Sequence, residues 1–251
     1  MTAAAGTLTR MPPPPARIER ASLFLDMDGV LAPLAPRPED VGPVARRTAV
    51  LRRLIDRLEG RVAIVSGRTI AEIDRIAERA SPAASGVHGL ERRRGDGSVE
   101  RAAPHAGVRA VVDALDAFAA DRPGMIVEDK GVSAGLHFRG APAFADEAMD
   151  LARRLAARTG LMLQAGDLVV ELKTPGTSKG TAVRAFMAEA PFADGVPVML
   201  GDDLTDEDGF KAAAALGGFG VLVGPQRETA ARYRLDDVEA VLGWLEGLAD
   251  G

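Results

Sequence analysis

Short apolar runs alternate with helical patterns through the first third of the chain. Residues 22–26 have the pattern of a buried strand, and residues 43–58 place apolar side chains at the spacing of an amphipathic helix. A second apolar run at residues 61–65 precedes Thr69 and Glu72, whose capping-box spacing predicts the start of another helix. The order strand, helix, strand, helix predicts a parallel sheet with right-handed crossovers.

The pattern changes in the middle of the chain. Residues 85–91 form another extended segment, and RGDGS at residues 94–98 has the turn chemistry of a hairpin. A helix, a hairpin, a second helix and a second hairpin are then predicted at residues 108–118, 125–138, 144–157 and 161–172. This order does not fit a βαβ repeat. We therefore predict a separate α+β module at residues 104–173, inserted into the parallel domain.

The parallel pattern resumes after this module. Helices are predicted at residues 181–190, 210–216 and 238–248, and strands at residues 196–200 and 220–223. The predicted fold class is therefore α/β, with a Rossmann-like three-layer core formed by residues 21–103 and 174–251. Residues 1–20 are rich in Ala, Thr and Pro and lack the apolar core of a signal peptide, so we predict a disordered or extended leader.

Composition and charge narrow the possible functions. Hydrophobic residues make up 47% and charged residues 27% of the 251 residues, which is ordinary for a globular protein. The net charge of −5 disfavours binding to nucleic acid or to an acidic membrane surface. The absence of cysteine excludes disulfides, zinc–thiolate sites and cysteine nucleophiles. No apolar stretch is long enough to cross a bilayer, and we expect a cytoplasmic monomer.

Two acids and a hydroxyl occupy the ends of predicted strands. Asp26, Ser66 and Asp202 each stand at the C-terminal end of a predicted apolar strand. The carboxyl ends of parallel strands lie along one edge of a sheet, where open α/β folds bind their ligands. Lys179, just before a predicted helix, adds a cation. This set of residues suits phosphoryl transfer, which requires a nucleophile, neutralisation of phosphate charge and a proton for the leaving oxygen.

The carboxylates indicate a metal ion. Acids as close as Asp26 and Asp28 repel each other unless a cation lies between them. A hard divalent cation with oxygen ligands, most simply Mg²⁺, is the expected partner. We expect Asp26 and Asp202 to bind it, together with Asp203 or Asp206 from the acidic run that follows.

The remaining roles follow from the charge of a phosphate ester. Lys179, Ser66 and the backbone N–H groups near Gly67 would hold the phosphate oxygens. Asp26 would attack phosphorus and form an aspartyl phosphate. Asp28 would protonate the leaving alcohol and then deprotonate the water that completes the reaction.

Each of these motifs taken singly has a structural alternative. The acids at residues 26–28 could be solvated side chains in a turn after a strand. GTSKG at residues 176–180 is not a P-loop, because Ser precedes the lysine and Gly follows it. The acidic run from Asp202 fails the EF-hand pattern, and no G-x-G-x-x-G follows the first strand. The joint occurrence of the motifs in this order favours catalysis.

The motifs resemble those of phosphatases of the haloacid dehalogenase superfamily. DMDGV at residues 26–30 resembles its first motif, and Ser66, Lys179 and GDD at residues 201–203 resemble the other three. The finer resemblance is to trehalose-6-phosphate phosphatases, from about residue 22 to near the C-terminus. Its segments are VSGR at 65–68, GVHGLE at 86–91, VEDK at 127–130, LHFR at 136–139, KGTAV at 179–183 and GDDLTDED at 201–208. Val30 departs from the family's usual Thr, but its N–H remains, so we expect little loss.

This resemblance implies that the inserted module is a cap of the C2 type above the crevice. The sugar-binding candidates are Glu128, Lys130, His137, Arg139 and Glu171 in the cap, with His88 and Gly89 in the core. The cap residues could instead form only the polar face of a small sheet. We also place Arg68 among the phosphate-binding groups and Asp28 among the metal ligands.

The resemblance implies a Mg²⁺-dependent phosphatase that releases trehalose and phosphate from trehalose 6-phosphate. One alternative keeps the chemistry but changes the small-molecule substrate to sucrose phosphate or a glycosyl phosphoglycerate. Another is a sugar-phosphate sensor without catalysis, although the intact Asp26, Asp28, Lys179 and Asp202 argue against it.

Overall fold

The computed structural model describes residues 10–166 and 168–251 of the chain. Its strands are β1 Ala21–Leu25, β2 Val62–Val65, β3 Ala83–Gly86, β4 Glu91–Arg93, β5 Val99–Arg101, β6 Ile126–Asp129, β7 Ser133–His137, β8 Met162–Gly166, β9 Val169–Lys173, β10 Val196–Gly201, β11 Phe219–Val223 and β12 Tyr233–Leu235. Its helices are α1 Ala45–Arg57, α2 Ile70–Ala77, α3 Val108–Ala119, α4 Ala145–Thr159, α5 Lys179–Met187, α6 Glu207–Ala215 and α7 Val238–Asp250.

Eight strands form the core sheet, in the order β12-β11-β10-β1-β2-β3-β4-β5. The six from β12 to β3 are parallel, and β4 and β5 add an antiparallel hairpin at one edge. The predicted α/β class with a parallel sheet is confirmed. Strand β1 lies between β10 and β2, so the carboxyl ends of these three strands meet at the middle of one edge.

Helices cover both faces of the core sheet. In β1, Leu23 and Leu25 pack with α1, α2 and α7, whereas Phe24 points to the opposite face and packs with α5 and α6. All three side chains are fully buried. This alternation follows from the two-residue period of a strand that is covered on both sides. The result is the predicted three-layer core.

The residues between β5 and α5 form the cap. Its antiparallel sheet has the order β6-β7-β9-β8. Helices α3 and α4 pack on one face through an apolar cluster of their own, which includes Val111, Leu115, Ala152, Leu136 and Val170. The other face of the sheet carries polar side chains toward the core. The cap has its own apolar centre, as an inserted module requires.

Three details differ from the pattern-based prediction. Residues 85–91 are not continuously extended, because Val87–Gly89 form a 3-10 turn between β3 and β4. Helix α6 begins at Glu207, three residues before the predicted start, because Asp203 and Asp206 form a capping box around a preceding 3-10 turn. The short strand β12 was not predicted, since three residues carry too little pattern.

The predicted leader lies partly outside the described residues, which begin at residue 10. The described part runs along the core. The carbonyl oxygen of Pro12 accepts a hydrogen bond from the Arg234 amide, and that of Pro15 accepts one from the Trp244 indole at 2.9 Å. Among the described residues, no helix combines the length and apolar character needed to cross a membrane.

Candidate active site

The nucleophile candidate lies at the end of the central strand. Strand β1 ends at Leu25, which places Asp26 at the carboxyl edge of the sheet, only 4% exposed. The chain then turns at Gly29 with a φ of +73°. A Cβ at this glycine would come within 2.1 Å of the Asp202 carboxylate. Glycine is therefore needed both for the left-handed turn and for the close approach of the two acidic segments.

Three carboxylates meet beyond the ends of β1 and β10. Asp26, Asp202 and Asp206 each offer an oxygen atom within 4.8 Å of the other two. Burial, the largest cause in each case, raises the pKa of Asp26 and Asp202 to about 7 and that of Asp206 to about 8. Their mutual repulsion adds to the effect. Oxygen donors of this kind, held close together, suit a hard divalent cation such as Mg²⁺.

One lysine joins this cluster. The Nζ atom of Lys179 donates to Asp26 Oδ2 at 2.6 Å and to Asp206 Oδ1 at 2.7 Å. Burial alone would lower the pKa of Lys179, but the charges of Asp206 and Asp26 raise it well above its usual value. Ser178 caps helix α5 and fixes Lys179 as its first residue. The sequence placed this lysine just before the helix.

A tight turn after β2 brings a core histidine to the same edge. Ser66 follows β2 and is 1% exposed, and its carbonyl oxygen accepts a hydrogen bond from the His88 amide. His88 has a φ of +52°, so the 3-10 turn folds its imidazole back over Gly67. A Cβ on Gly67 would lie 2.5 Å from His88 Nε2. A side chain at residue 67 would displace the imidazole from this position.

Some predicted residues lie outside the carboxylate cluster. The Asp28 carboxylate binds the Arg68 guanidinium through two hydrogen bonds. Asp203 turns its carboxylate toward Thr205, whose amide and hydroxyl donate to Oδ1 at 2.8 and 2.6 Å. Gly89 lies against residues 177–178 and lines a different cavity from the other sugar-binding candidates. Direct metal binding by Asp28 or Asp203, and sugar contact by Gly89, stay predictions.

Strand register collects the polar residues of the cap into one row. Glu128 pairs with Gly135 on β7, and Gly135 pairs with Glu171 on β9. Because Gly135 lies between them and has no side chain, the carboxylates of Glu128 and Glu171 can approach each other. Lys130 Nζ bridges them, at 3.2 Å from Glu171 Oε2 and 3.5 Å from Glu128 Oε2. His137 Nε2 adds a contact of 2.9 Å to Glu128 Oε2.

The cap row touches the core directly. Lys130 Nζ donates to the carbonyl oxygen of Gly67 at 3.0 Å, and His88 Nε2 lies 3.4 Å from Glu171 Oε2. Although burial opposes the charged form, the pKa of Glu171 is well below its usual value because of Lys130 and His88. Burial lowers the pKa of His88. A charged, buried network therefore connects the cap with the turn after β2.

A cleft of about 240 Å³ lies between the core and the cap. The predicted site residues that line it are Asp28, Gly67, Arg68, His88, Glu128, Lys130, His137, Arg139, Glu171, Asp202 and Asp203. Asp26, Ser66, Lys179 and Asp206 are nearly fully buried at the same edge of the core sheet. A larger cavity of about 600 Å³ lies beside the amino ends of β1 and β2 and contains none of the predicted site residues. The cleft is therefore the candidate active site.

Comparison with known proteins decides the family. The sequence model of the trehalose-phosphatase family matches residues 24–239. The chain belongs to the trehalose-phosphatase family. It is 42% identical over 225 residues to the trehalose-6-phosphate phosphatase of Escherichia coli, covering 89% of this chain and 84% of the relative. It is 35% identical over 235 residues to a probable trehalose-phosphate phosphatase of Sinorhizobium fredii, covering 92% and 89%.

Solved structures agree with this assignment. A trehalose-6-phosphate phosphatase related protein superposes with a TM-score of 0.74 at 25% identity, covering 89% of this chain and 95% of that one. The C-terminal domain of the C. albicans trehalose-6-phosphate phosphatase gives 0.82 at 22% identity, covering 97% and 99%. A protein from Bacteroides thetaiotaomicron, described among phosphatases of the haloalkanoate (HAD) enzyme superfamily, gives 0.62 at 19% identity, covering 96% of this chain and 97% of that one. The predicted fold is confirmed by these structures, and the enzyme class, a phosphatase, by the family.

Two residues that contact the active site of this trehalose-phosphatase family member were not predicted from the sequence. Gln164 pairs with Glu171 across the β8–β9 ladder, and its amide lies 2.9 Å from His88 Nε2. The pairing of β8 with β9, which sets Gln164 opposite Glu171, is the only signal that could have indicated Gln164. Arg227 donates to the carbonyl oxygen of Asp203 at 2.7 Å and pairs with Glu207, which anchors the acidic loop. No sequence signal pointed to Arg227.

A buried lysine in the phosphatase cap gives a prediction about stability. Lys173 is 1% exposed, and its side chain forms no hydrogen bond or ion pair with a described residue. Burial lowers its pKa from the usual 10.5 to about 8. Between these values the unfolded chain binds more protons than the folded chain, so this group makes stability rise with pH in that window. At pH 7 it is charged in both states and its burial is a net cost.

Replacing Lys173 with Met should therefore raise the free energy of unfolding at pH 7 by about 1–4 kcal/mol. The advantage over the wild type should shrink between pH 8 and 10.5. Urea denaturation at several pH values measures this, with the exposed Lys211→Met as the matched control. Lower stability of the variant at pH 7 would show that Lys173 has a favourable partner in solution.

Proposed function

We propose that this chain is a Mg²⁺-dependent phosphatase that hydrolyses trehalose 6-phosphate through an aspartyl-phosphate intermediate on Asp26. The observation that carries the proposal is the pairing of Asp26 with Lys179 inside the buried carboxylate cluster, below a cleft with polar cap residues. The names of the relatives support the substrate assignment.

The first step forms a bond between Asp26 and phosphorus. A carboxylate oxygen of Asp26 attacks the phosphoryl group, and the bond from phosphorus to the sugar oxygen breaks. Lys179 supports this step because its charge favours the ionised form of Asp26 against the effect of burial and brings positive charge to the reacting centre. Ser66 and the backbone N–H groups near Gly67 would bind the equatorial phosphate oxygens, as the sequence suggested.

The carboxylates of Asp26, Asp202 and Asp206 would hold Mg²⁺. When bound, the ion neutralises the negative charge of the nucleophile and the phosphate. Asp203 contributes to the same site by capping the 3-10 turn that presents Asp206. Arg227 holds the carbonyl groups of this loop.

Asp28 completes both half-reactions. It gives a proton to the departing sugar oxygen, and then takes a proton from the water that attacks the aspartyl phosphate. That second attack breaks the bond from Asp26 to phosphorus, releases phosphate and restores the carboxylate. Asp28 lines the cleft and is 30% exposed in its side chain, so it can reach a bound sugar phosphate.

The cap would recognise the sugar. Glu128, Lys130 and Glu171 carry donors and acceptors for hydroxyl groups, and His88 and Gln164 extend the row from the core side and from β8. The cleft of about 240 Å³ lies below the 300–1,000 Å³ common for ligand pockets, so we expect the cap to move when a disaccharide phosphate enters. The cytoplasmic location and the monomeric state stay predictions.

Phosphate release from a panel of sugar phosphates, with and without a chelator, tests this function. We expect the highest kcat/KM for trehalose 6-phosphate and lower values for sucrose 6-phosphate and glucosyl-3-phosphoglycerate. EDTA should abolish turnover, and added Mg²⁺ should restore it. A preference for another sugar phosphate would contradict the substrate, and undiminished turnover in EDTA would contradict the metal requirement. Tight binding of trehalose 6-phosphate without any turnover would support the sensor instead.

A further inference from the structure

We propose that Arg68 is a positioning residue, which holds the Asp28 carboxylate in place for proton transfer instead of binding the phosphoryl group. The inference rests on the proposed function, because it assigns Asp28 the acid–base role. It replaces the phosphate-binding role that the sequence suggested for Arg68.

The contact between the two side chains is bidentate. Arg68 Nε lies 2.7 Å from Asp28 Oδ2, and Arg68 Nη2 lies 2.8 Å from Asp28 Oδ1. Two parallel hydrogen bonds fix both the position and the plane of a carboxylate, which a single contact cannot do. The Arg68 side chain is only 8% exposed, whereas that of Asp28 is 30% exposed. The Arg68 guanidinium, which we call the clamp, therefore lies behind the Asp28 carboxylate and leaves that carboxylate open to the cleft.

The other donors of Arg68 are also in use. Its Nη1 atom donates to the carbonyl oxygen of Pro38 at 2.9 Å and to Glu72 Oε1 at 3.3 Å. A guanidinium has five N–H groups, and these four contacts leave a single N–H on Nη2. An arginine that binds phosphate typically offers two parallel donors. With a single N–H left, Arg68 cannot make a bidentate contact with phosphate while it holds Asp28.

The clamp is itself held by a rigid part of the fold. Glu72 closes the capping box of α2, since its Oε2 accepts from the Thr69 amide and hydroxyl at 3.0 and 2.8 Å. The same carboxylate meets Arg68 through Oε1. The start of α2 thus fixes Glu72, Glu72 supports Arg68, and Arg68 orients Asp28. This is how a supporting residue keeps a catalytic group within the narrow geometry that proton transfer needs.

The test compares two leaving groups by kcat/KM. The alcohol of trehalose 6-phosphate must be protonated as it leaves, whereas p-nitrophenyl phosphate releases a stable anion that needs no acid. We expect Arg68→Lys and Arg68→Ala to lower kcat/KM for trehalose 6-phosphate about 10²-fold. The loss for p-nitrophenyl phosphate should be no more than several-fold. Arg75→Ala is the matched control, because Arg75 lies on α2, the helix that follows Arg68, and like Arg68 donates to a loop carbonyl, that of Val41, without touching Asp28.

A double variant separates positioning from other roles. In an Asp28→Asn background, adding Arg68→Ala should cause little further loss with trehalose 6-phosphate, because the group that Arg68 orients no longer transfers a proton. Additive losses would overturn the proposal.

Two results with the single Arg68 variants would also overturn it. One is equal losses on both substrates with weaker inhibition by inorganic phosphate, which would assign Arg68 to phosphate binding. The other is unchanged rates for both variants. Circular dichroism checks folding, and Arg68→Lys keeps the charge if Arg68→Ala does not fold. If the wild type hydrolyses neither substrate, the proposed function fails instead.

Discussion

Replacing Asp26 with Asn should reduce hydrolysis of trehalose 6-phosphate by a factor on the order of 10⁴ or more. The amide has nearly the same shape as the carboxylate and can still accept the hydrogen bond from Lys179. It cannot attack phosphorus. The variant should remain folded, with a melting temperature in EDTA at least equal to that of the wild type, because one of three clustered carboxylates has been removed.

Phosphate release under saturating Mg²⁺ measures this loss, and differential scanning calorimetry checks the fold. Asp116→Asn on the exposed face of α3 makes the same chemical change far from the cleft and should leave both values unchanged. Turnover by a folded Asp26→Asn protein near the wild-type rate would mean that another group attacks phosphorus.

Replacing Lys179 with Met should cost both activity and stability. The buried carboxylates of Asp26 and Asp206 would lose the cation that contacts both of them, and breaking a buried ion pair in this way typically costs about 3–5 kcal/mol. Turnover should fall by a factor on the order of 10² or more, because a charge that favours the transition state is lost. Mg²⁺ should recover part of the stability, since it neutralises the same carboxylates.

Urea denaturation in EDTA and in excess Mg²⁺ measures the stability, and phosphate release from trehalose 6-phosphate measures the turnover. Lys211→Met on the exposed side of α6 is the matched control. A Lys179→Met protein as stable as the wild type in EDTA would show that the carboxylates are protonated and need no counter-charge. A deficit that Mg²⁺ does not reduce would argue against a metal site at these carboxylates.

The sequence predicted the parts of the fold that depend on local pattern. Apolar strands that end in Asp26, Ser66 and Asp202 could be recognised because a strand covered on both faces is a continuous apolar run. The inserted module could be recognised because its order of helices and hairpins breaks the βαβ alternation. The capping box of Thr69 and Glu72 was predicted from spacing alone and is present.

The partners of side chains could not be predicted in this way. Arg68 was expected to face phosphate, but a 40-residue separation in sequence hides its contact with Asp28. His88 was expected in an extended segment, whereas hydrogen bonds to the turn after β2 force the left-handed turn that places its ring over Gly67. Gln164 depends on the register of β8 with β9, which no local pattern fixes. Each of these is a long-range contact.

In the proposed mechanism, phosphorus is transiently bonded to Asp26. The most direct measurement is to quench the enzyme during turnover of trehalose 6-phosphate, reduce the acyl phosphate with borohydride and map the modified residue by tandem mass spectrometry. We expect reduction of aspartate to homoserine at residue 26 alone, dependent on both substrate and Mg²⁺. Substrate-dependent modification at Asp28, at Asp202 or at any other residue would contradict it.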